Sequence, residues 1–223
     1  SENHLIIFGI NNIVYVDGYS KIYNSLVVVN KDLDVVNLYN KNNLVPFGEF
    51  IPLENYLEDI GLKTITNEYQ SFSQGKERKI INLKSKYFDL NFLPLICYEI
   101  IYSGKLYENS NSNFNLIINI SEDGWFGNSV GPQQHFAHSI FRSIEEGKNI
   151  IRSTNNGTSA YINTSGKVME KIETTQGGVI EINGLDVQKE TFFSKNGNNI
   201  FFYLLLIYIS FIFFINKRRG RQQ

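Results

Sequence analysis

The sequence predicts a layered α/β domain followed by one membrane-spanning helix. Three observations carry that reading: short apolar runs bounded by Gly, Asn and Ser, one segment with helical periodicity set among them, and an uncharged interval near the C-terminus. "LIIFGI" (Leu5 to Ile10) and "NSLVVVN" (Asn24 to Asn30) have the β-branched composition of buried strands. In "YNKNNLVPFGEFIP" (Tyr39 to Pro52), Pro46 and Gly48 force a turn between two apolar stretches. Lys41 and Glu49 stand on either side with opposite charge, so the segment can aim both into one cleft. "LPLIC" is a third strand and ends in the chain's single cysteine, Cys97. The polar "YENSNSNFN" (Tyr107 to Asn115) reads as a loop, and "NLIINIS" as a fourth strand. "GPQQHFAHSIFRSIEEGKN" is helical. Pro132 suits its first turn, Phe136, Ile140 and Ile144 repeat at helical spacing, and Gly147 can close it. "SAYINTSGKVMEKIE" alternates around Ser165 and Gly166 as a β-hairpin does.

From Asn196 to Asn216 there is no charged residue. At about 1.5 Å per residue this interval is roughly 31 Å long, enough for a bilayer core. Thirteen of its residues are Leu, Ile or Phe, together contributing roughly -4 to -8 kcal/mol toward insertion. Lys217, Arg218, Arg219 and Arg221 follow it and mark a cytoplasmic side, which places the globular part across the membrane. The chain therefore divides into a domain over residues 1–195, a spanning helix over 196–216 and a basic cytoplasmic tail over 217–223.

A chain of 223 residues that is 42% hydrophobic and 19% charged has the composition of one ordinary globular domain. A net charge of -1 supplies no global field for nucleic acid, which is excluded as a partner. One cysteine rules out an intrachain disulfide framework and a multi-cysteine metal site. Cys97 is then an inert core thiol, a nucleophile or an intermolecular crosslink, the first two being the serious candidates, and a nucleophile needs a nearby base or cation to favour the thiolate. Spacing alone leaves both open. His135 and His138 sit one helical turn apart without a third ligand and read as ordinary helix-surface residues.

"KNNLVPFGEF", "ICYEI", "NISEDGWFGNSVGPQQH" and "RSTNNGTSAYINTSGK" occur here in the order and spacing of the apolipoprotein N-acyltransferase family, which the chain resembles over nearly its whole length. That family is the membrane-embedded branch of the nitrilase, or carbon-nitrogen hydrolase, superfamily. The resemblance implies a nitrilase-like α-β-β-α sandwich and a Glu-Lys-Cys triad, with Cys97 as nucleophile and Lys41 as the cation beside it. Such a cation favours the thiolate and stabilises an oxyanion, with the Tyr98 amide as a second donor. Glu49 matches a further carboxylate near the triad that holds the lysine. Tyr98 and Glu99 follow the nucleophile, and Trp125 and Phe126 match an aromatic pair that shapes the acyl pocket; all four are expected at the substrate.

The implied reaction has two steps. Cys97 takes an acyl chain from a phospholipid as a thioester, and the α-amine of a diacylglyceryl-cysteine apolipoprotein then accepts it, with no metal or cofactor. The implied setting is the lipid bilayer of the bacterial inner membrane, with the domain on the periplasmic side. Two departures stand out. Glu122 and Gly124 occupy positions where the family commonly has Asn and Ala. The family's catalytic Glu lies upstream near a Pro-Glu-Thr motif that this sequence lacks, and Glu2 is the only carboxylate near that end. The chain is thus expected to be a C-terminal part, inactive alone. Two readings compete: a nitrilase-type amidase acting on small amides, and an inactive membrane-anchored module. An acyl-enzyme formed from phospholipid separates the first reading from both.

Overall fold

In a computed structural model of the protein, residues 4–16, 18–53, 71–84, 89–104, 106–107 and 114–219 are described. Glu2, residues 108–113 of the expected loop and 220–223 of the basic tail lie outside them.

Among the described residues, nine strands form two sheets. β1 (Ile6–Val16), β2 (Tyr19–Val29) and β3 (Val35–Asn40) make an antiparallel three-stranded sheet. β4 (Ile81–Lys84), β5 (Asp89–Ile96), β6 (Leu116–Glu122), β7 (Asn149–Asn155), β8 (Ser159–Ile162) and β9 (Val168–Ile172) lie side by side in that order in the second. Only β5, β6 and β7 are mutually parallel, with Ile96 beside Ile120 and Glu122 beside Asn155. Three strands therefore end at one edge, where α/β sheets display their chemistry. Pro94 lies inside β5 but beyond the stretch paired with β4, whose register stops at Ile81 opposite Phe92, so its missing N–H leaves no gap on that side.

The expected strands are all present, though "LIIFGI" and "NSLVVVN" belong to longer strands paired from Ile6 opposite Val29 to Val16 opposite Tyr19. β3, β4 and β7 were not expected, because Asn, Lys and Arg interrupt their apolar residues. The hairpin forms as expected: β8 and β9 pair around a turn in which the Gly166 amide donates to the Asn163 carbonyl. The expected helix is α1 (Gly131–Glu146), closed by Gly147 at φ 62°, a conformation that favours glycine. Its apolar stripe ends at Ile140, because Ile144 lies against the β8–β9 turn at Gly166 and is half exposed.

The core has two parts. Leu26, Val28 and Tyr39 of the small sheet meet Ile81, Phe92, Ile96 and Ile118 of the large one. On the other side, Leu93, Leu95, Ile117 and Ile150 receive Phe136 and Ile140 of α1. Burying strand faces on both sides explains why β5 and β6 are apolar without alternation. Among the described residues the layers are sheet, sheet and helix, three of the four in the expected α-β-β-α sandwich. After a short helix α2 (Phe192–Asn196), α3 (Asn199–Arg219) begins. From Asn199 to Lys217 its mean hydropathy is 2.1 and none of it is buried, so by length and composition it can cross a membrane.

Candidate active site

Ile96 is the last residue of β5, and Cys97 opens a short 3-10 turn, Cys97–Ile101. Cys97 has φ 51°, a left-handed conformation that costs a residue with a Cβ about 1 kcal/mol or more. The sharp turn lifts the half-buried thiol out of the strand and into a cavity of about 410 Å³ at the shared edge of β5, β6 and β7. β1 supplies the opposite wall at Ile7 to Gly9, and Glu49, Glu122 and Trp125 also line it.

Lys41 is held by three kinds of bond. Its backbone amide donates to the Asn24 carbonyl at 2.8 Å, its carbonyl accepts from the Gly75 amide at 2.8 Å, and its ammonium, 1% exposed, donates to both Glu49 oxygens at 2.8 and 2.6 Å. A Cβ at position 75 would run into the Asn40 carbonyl, so the strap over Lys41 needs glycine. Glu49 also accepts from Asn24 Nδ2 at 3.0 Å and from the Val45 amide at 2.8 Å. The turn at Pro46 and Gly48 thus folds Glu49 back onto Lys41, and the structure brings this pair together beside Cys97's cavity.

Glu99 lies elsewhere. It is fully buried; Oε1 accepts from Tyr39 Oη at 2.8 Å and from the Asn42 and Asn43 amides at 3.0 Å each, and Oε2 accepts from the Ile96 amide at 2.9 Å. The last bond is a reach back over one turn, as a capping carboxylate makes. With both oxygens occupied and no surface on the cavity, Glu99 ties the Lys41 segment to the Cys97 turn instead of meeting a ligand. Burial, and then the charge of Glu99, push the Tyr39 hydroxyl well above its ordinary pKa, so it stays a donor.

The aromatic residues divide. Trp125 is 80% exposed at the cavity wall. Tyr98 and Phe126 instead flank the His135 ring, with centroids 6.3 and 5.4 Å away.

His135 corrects the expectation of a surface histidine: it is buried, because α1 turns this face onto the Cys97 turn. Its Nδ1 lies 2.9 Å from Asp123 Oδ1 and its Nε2 lies 3.2 Å from the Cys97 carbonyl oxygen. Arg152 donates to both Asp123 oxygens, at 3.1 and 2.8 Å, and to Asn119 Oδ1; Asn119 Nδ2 donates to the Leu95 carbonyl at 3.1 Å. Burial raises the Asp123 carboxyl, but the His135 bond and the Arg152 charge more than offset it, leaving it below its ordinary range. Burial likewise lowers the Arg152 guanidinium against the opposing pull of Asp123. This network holds the carbonyl of the strained cysteine. Its signal in the sequence was a polar residue at an inward position of an apolar strand, Asn119 in "NLIINIS" and Arg152 after "NII".

Among the described residues, no three His, Cys, Asp or Glu side chains converge as metal ligands. A strand-end cysteine above a two-sheet sandwich, opening on a cavity lined by Glu49, the ion-pair partner of Lys41, fits a nitrilase-type enzyme. The profile of that family, carbon-nitrogen hydrolase, matches residues 2–187, and the chain belongs to it. Among curated relatives, the apolipoprotein N-acyltransferase of Brucella suis biovar 1 is 36% identical over 165 residues, covering 74% of this chain and 30% of the relative. Those of Rhizobium etli and Wigglesworthia glossinidia brevipalpis are 34% and 35% identical, over 85% and 86% of this chain and 35% and 39% of theirs. The chain thus spans about a third of the length of these relatives. An amidase from Nesterenkonia sp. AN1, solved with acrylamide added at its active-site cysteine, shares the fold at a TM-score of 0.52 and 11% identity, over 78% of this chain and 60% of that one.

Proposed function

We propose that the protein is an acyltransferase in which Cys97 accepts an acyl chain from a phospholipid as a thioester and passes it to the N-terminal amine of a diacylglyceryl apolipoprotein. The observation that carries this reading is Cys97 itself: a left-handed residue at the end of a parallel strand, opening on a cavity that also holds Glu49, the partner of Lys41. Lys41 supplies the positive charge that favours the thiolate and stabilises the oxyanion as the ester carbonyl is attacked, with the Tyr98 amide as a second donor; the ester carbon–oxygen bond then breaks, and the lysophospholipid leaves as the alcohol with the proton the thiol has shed. Glu49 positions Lys41, and Glu99 positions the segment that carries it. Trp125, exposed at the rim, meets the acyl chain. In the second step the amine nitrogen attacks the thioester carbonyl, the carbon–sulfur bond breaks, and the proton shed by nitrogen returns to sulfur, which predicts ping-pong kinetics.

The names of the relatives support this substrate pair over a small amide. α3 supports a site at a lipid surface, with the domain on the periplasmic face of the inner membrane. The test is mass spectrometry of the protein from its native membrane after incubation with phospholipid. A hydroxylamine-sensitive acyl adduct within these 223 residues is expected on the parent and is expected to vanish in Cys97→Ala, since they hold no other cysteine. An adduct that persists in the variant overturns the assignment.

A further inference from the structure

The cavity holds one carboxylate whose charge no described cation offsets. Glu49 is neutralised by Lys41 and has both oxygens in use. Glu122, the last residue of β6, is different. Its Oε1 accepts from the Gly124 amide at 2.7 Å and from Asn156 Nδ2 at 3.1 Å, which fixes the group, while Oε2 meets no donor among the described residues. A Cβ at position 124 would lie 2.6 Å from Oε1, so the carboxylate occupies the space that even a methyl side chain would take. Glu122 and Gly124 are thus one feature: a carboxylate clamped by one oxygen, in the wall that Cys97 also lines.

We propose that Glu122 is a specificity determinant that receives a primary ammonium group in the Cys97 cavity. The proposal rests on the reading of Cys97 as the acyl-carrying nucleophile. An anion beside a thiolate disfavours a second anion and favours a cation, and the effect strengthens as substrate displaces water. A primary ammonium has N–H donors for the open oxygen, which a trimethylated nitrogen lacks. Two sources fit that chemistry: the aminoethyl headgroup of a donor phospholipid, and the α-amine of the acceptor peptide before it loses its proton and attacks.

Because Cys97 is the only cysteine of these 223 residues, its modification rate, read on its own peptide, reports on the cavity independently of acyl transfer. The detergent-solubilised protein is treated with 2-aminoethyl, 2-trimethylammonioethyl, 2-sulfonatoethyl and methyl methanethiosulfonate, the neutral reagent correcting for thiol reactivity and showing that the site is intact. In Glu122→Gln, whose amide oxygen still accepts from Gly124, the ratio of aminoethyl to sulfonatoethyl rates should fall about fivefold or more. The preference for aminoethyl over trimethylammonioethyl should fall with it, and Glu122→Asp should retain part of both. Unchanged ratios overturn the proposal. The source follows from turnover: a drop in thioester formation confined to ethanolamine-headgroup vesicles, relative to glycerol-headgroup ones, assigns the donor, and a raised KM for lipopeptide at unchanged thioester formation assigns the acceptor. If thioester forms and neither arm responds, the proposal fails. If no phospholipid yields a thioester while the reagent ratios still fall, it is the acyl-transfer reading that fails and the ammonium site that stands.

Discussion

Lys41 carries its charge almost out of contact with water, which is tolerable only because Glu49 faces it with both oxygens. Lys41→Ala should lower acyl-transfer kcat by about two orders of magnitude, the scale of losing an oxyanion donor. Lys41→Arg should not restore it, since a planar fork cannot occupy a site shaped around a compact ammonium. Steady-state rates for both variants decide this, and near-parental turnover in either rejects the role. Glu99 is the contrasting case, a buried carboxylate that accepts four bonds and does not line the cavity. Glu99→Gln turns an NH₂ group toward donors, so stability should fall by about 1–3 kcal/mol. A urea midpoint equal to the parent's would show that these bonds are not what joins the two segments.

At the scale of elements, the site depends on where β5 stops. Its 3-10 turn is held by α1, through His135 on the Cys97 carbonyl, and the end of β5 is held by β6, through Asn119 on the Leu95 carbonyl, with Arg152 of β7 bonded to Asn119. The C-terminal end of α1 carries a second consequence. Burial, and then the charge of Glu145, raise the Glu146 carboxyl from 4.5 to about 7. A folded chain that holds this proton after the unfolded chain has released it is most stable at low pH, and loses stability as pH rises from about 4.5 to about 7. Glu146→Gln should flatten that decline. Since the side chain is partly exposed, the gain at about pH 8 should be about 1–2 kcal/mol, well under the full shift. Urea titrations on either side of the window read it directly; parallel pH profiles for parent and variant would contradict the argument.

Across the whole molecule, the catalytic domain and α3 meet at a small contact. Asn198 Nδ2 donates to the Ser103 carbonyl at 3.1 Å, and a Cβ on Gly197 would strike the Gly104 carbonyl, so the root of α3 sits against the loop that follows the Cys97 turn. If α3 spans a bilayer, replacing Leu206 and Ile209 by Lys should cost about 2.5–3.5 kcal/mol each at mid-membrane. The doubly substituted protein should then leave the membrane pellet on alkaline carbonate extraction, where the parent stays. Retention of the variant in the pellet would mean that α3 is not the anchor.

The sequence by itself determined what local chemistry and composition can encode. Apolar runs without alternation are buried on both faces wherever they end up, so β5 and β6 were legible; so were α1, the β8–β9 hairpin, and a helix too long and apolar to be an ordinary surface element. Cys97, Lys41 and Glu49 were legible as candidates through their motifs and the turn at Pro46 and Gly48. Only the tertiary structure decided which polar groups face each other. Glu99 is two residues from Cys97, yet the 3-10 turn rotates it into the core toward Tyr39, 60 residues away in sequence. His135 looked like a surface residue because a lone polar side chain does not announce which face of a helix is covered, and here Asp123 and Arg152 from other elements cover it. Glu122 and Gly124 were visible as two separate departures; their mutual fit appears only when the carboxylate is seen in the space a Cβ would fill. Backbone periodicity is written locally, whereas partners of buried charges are fixed by the packing of distant segments, and that packing made the site.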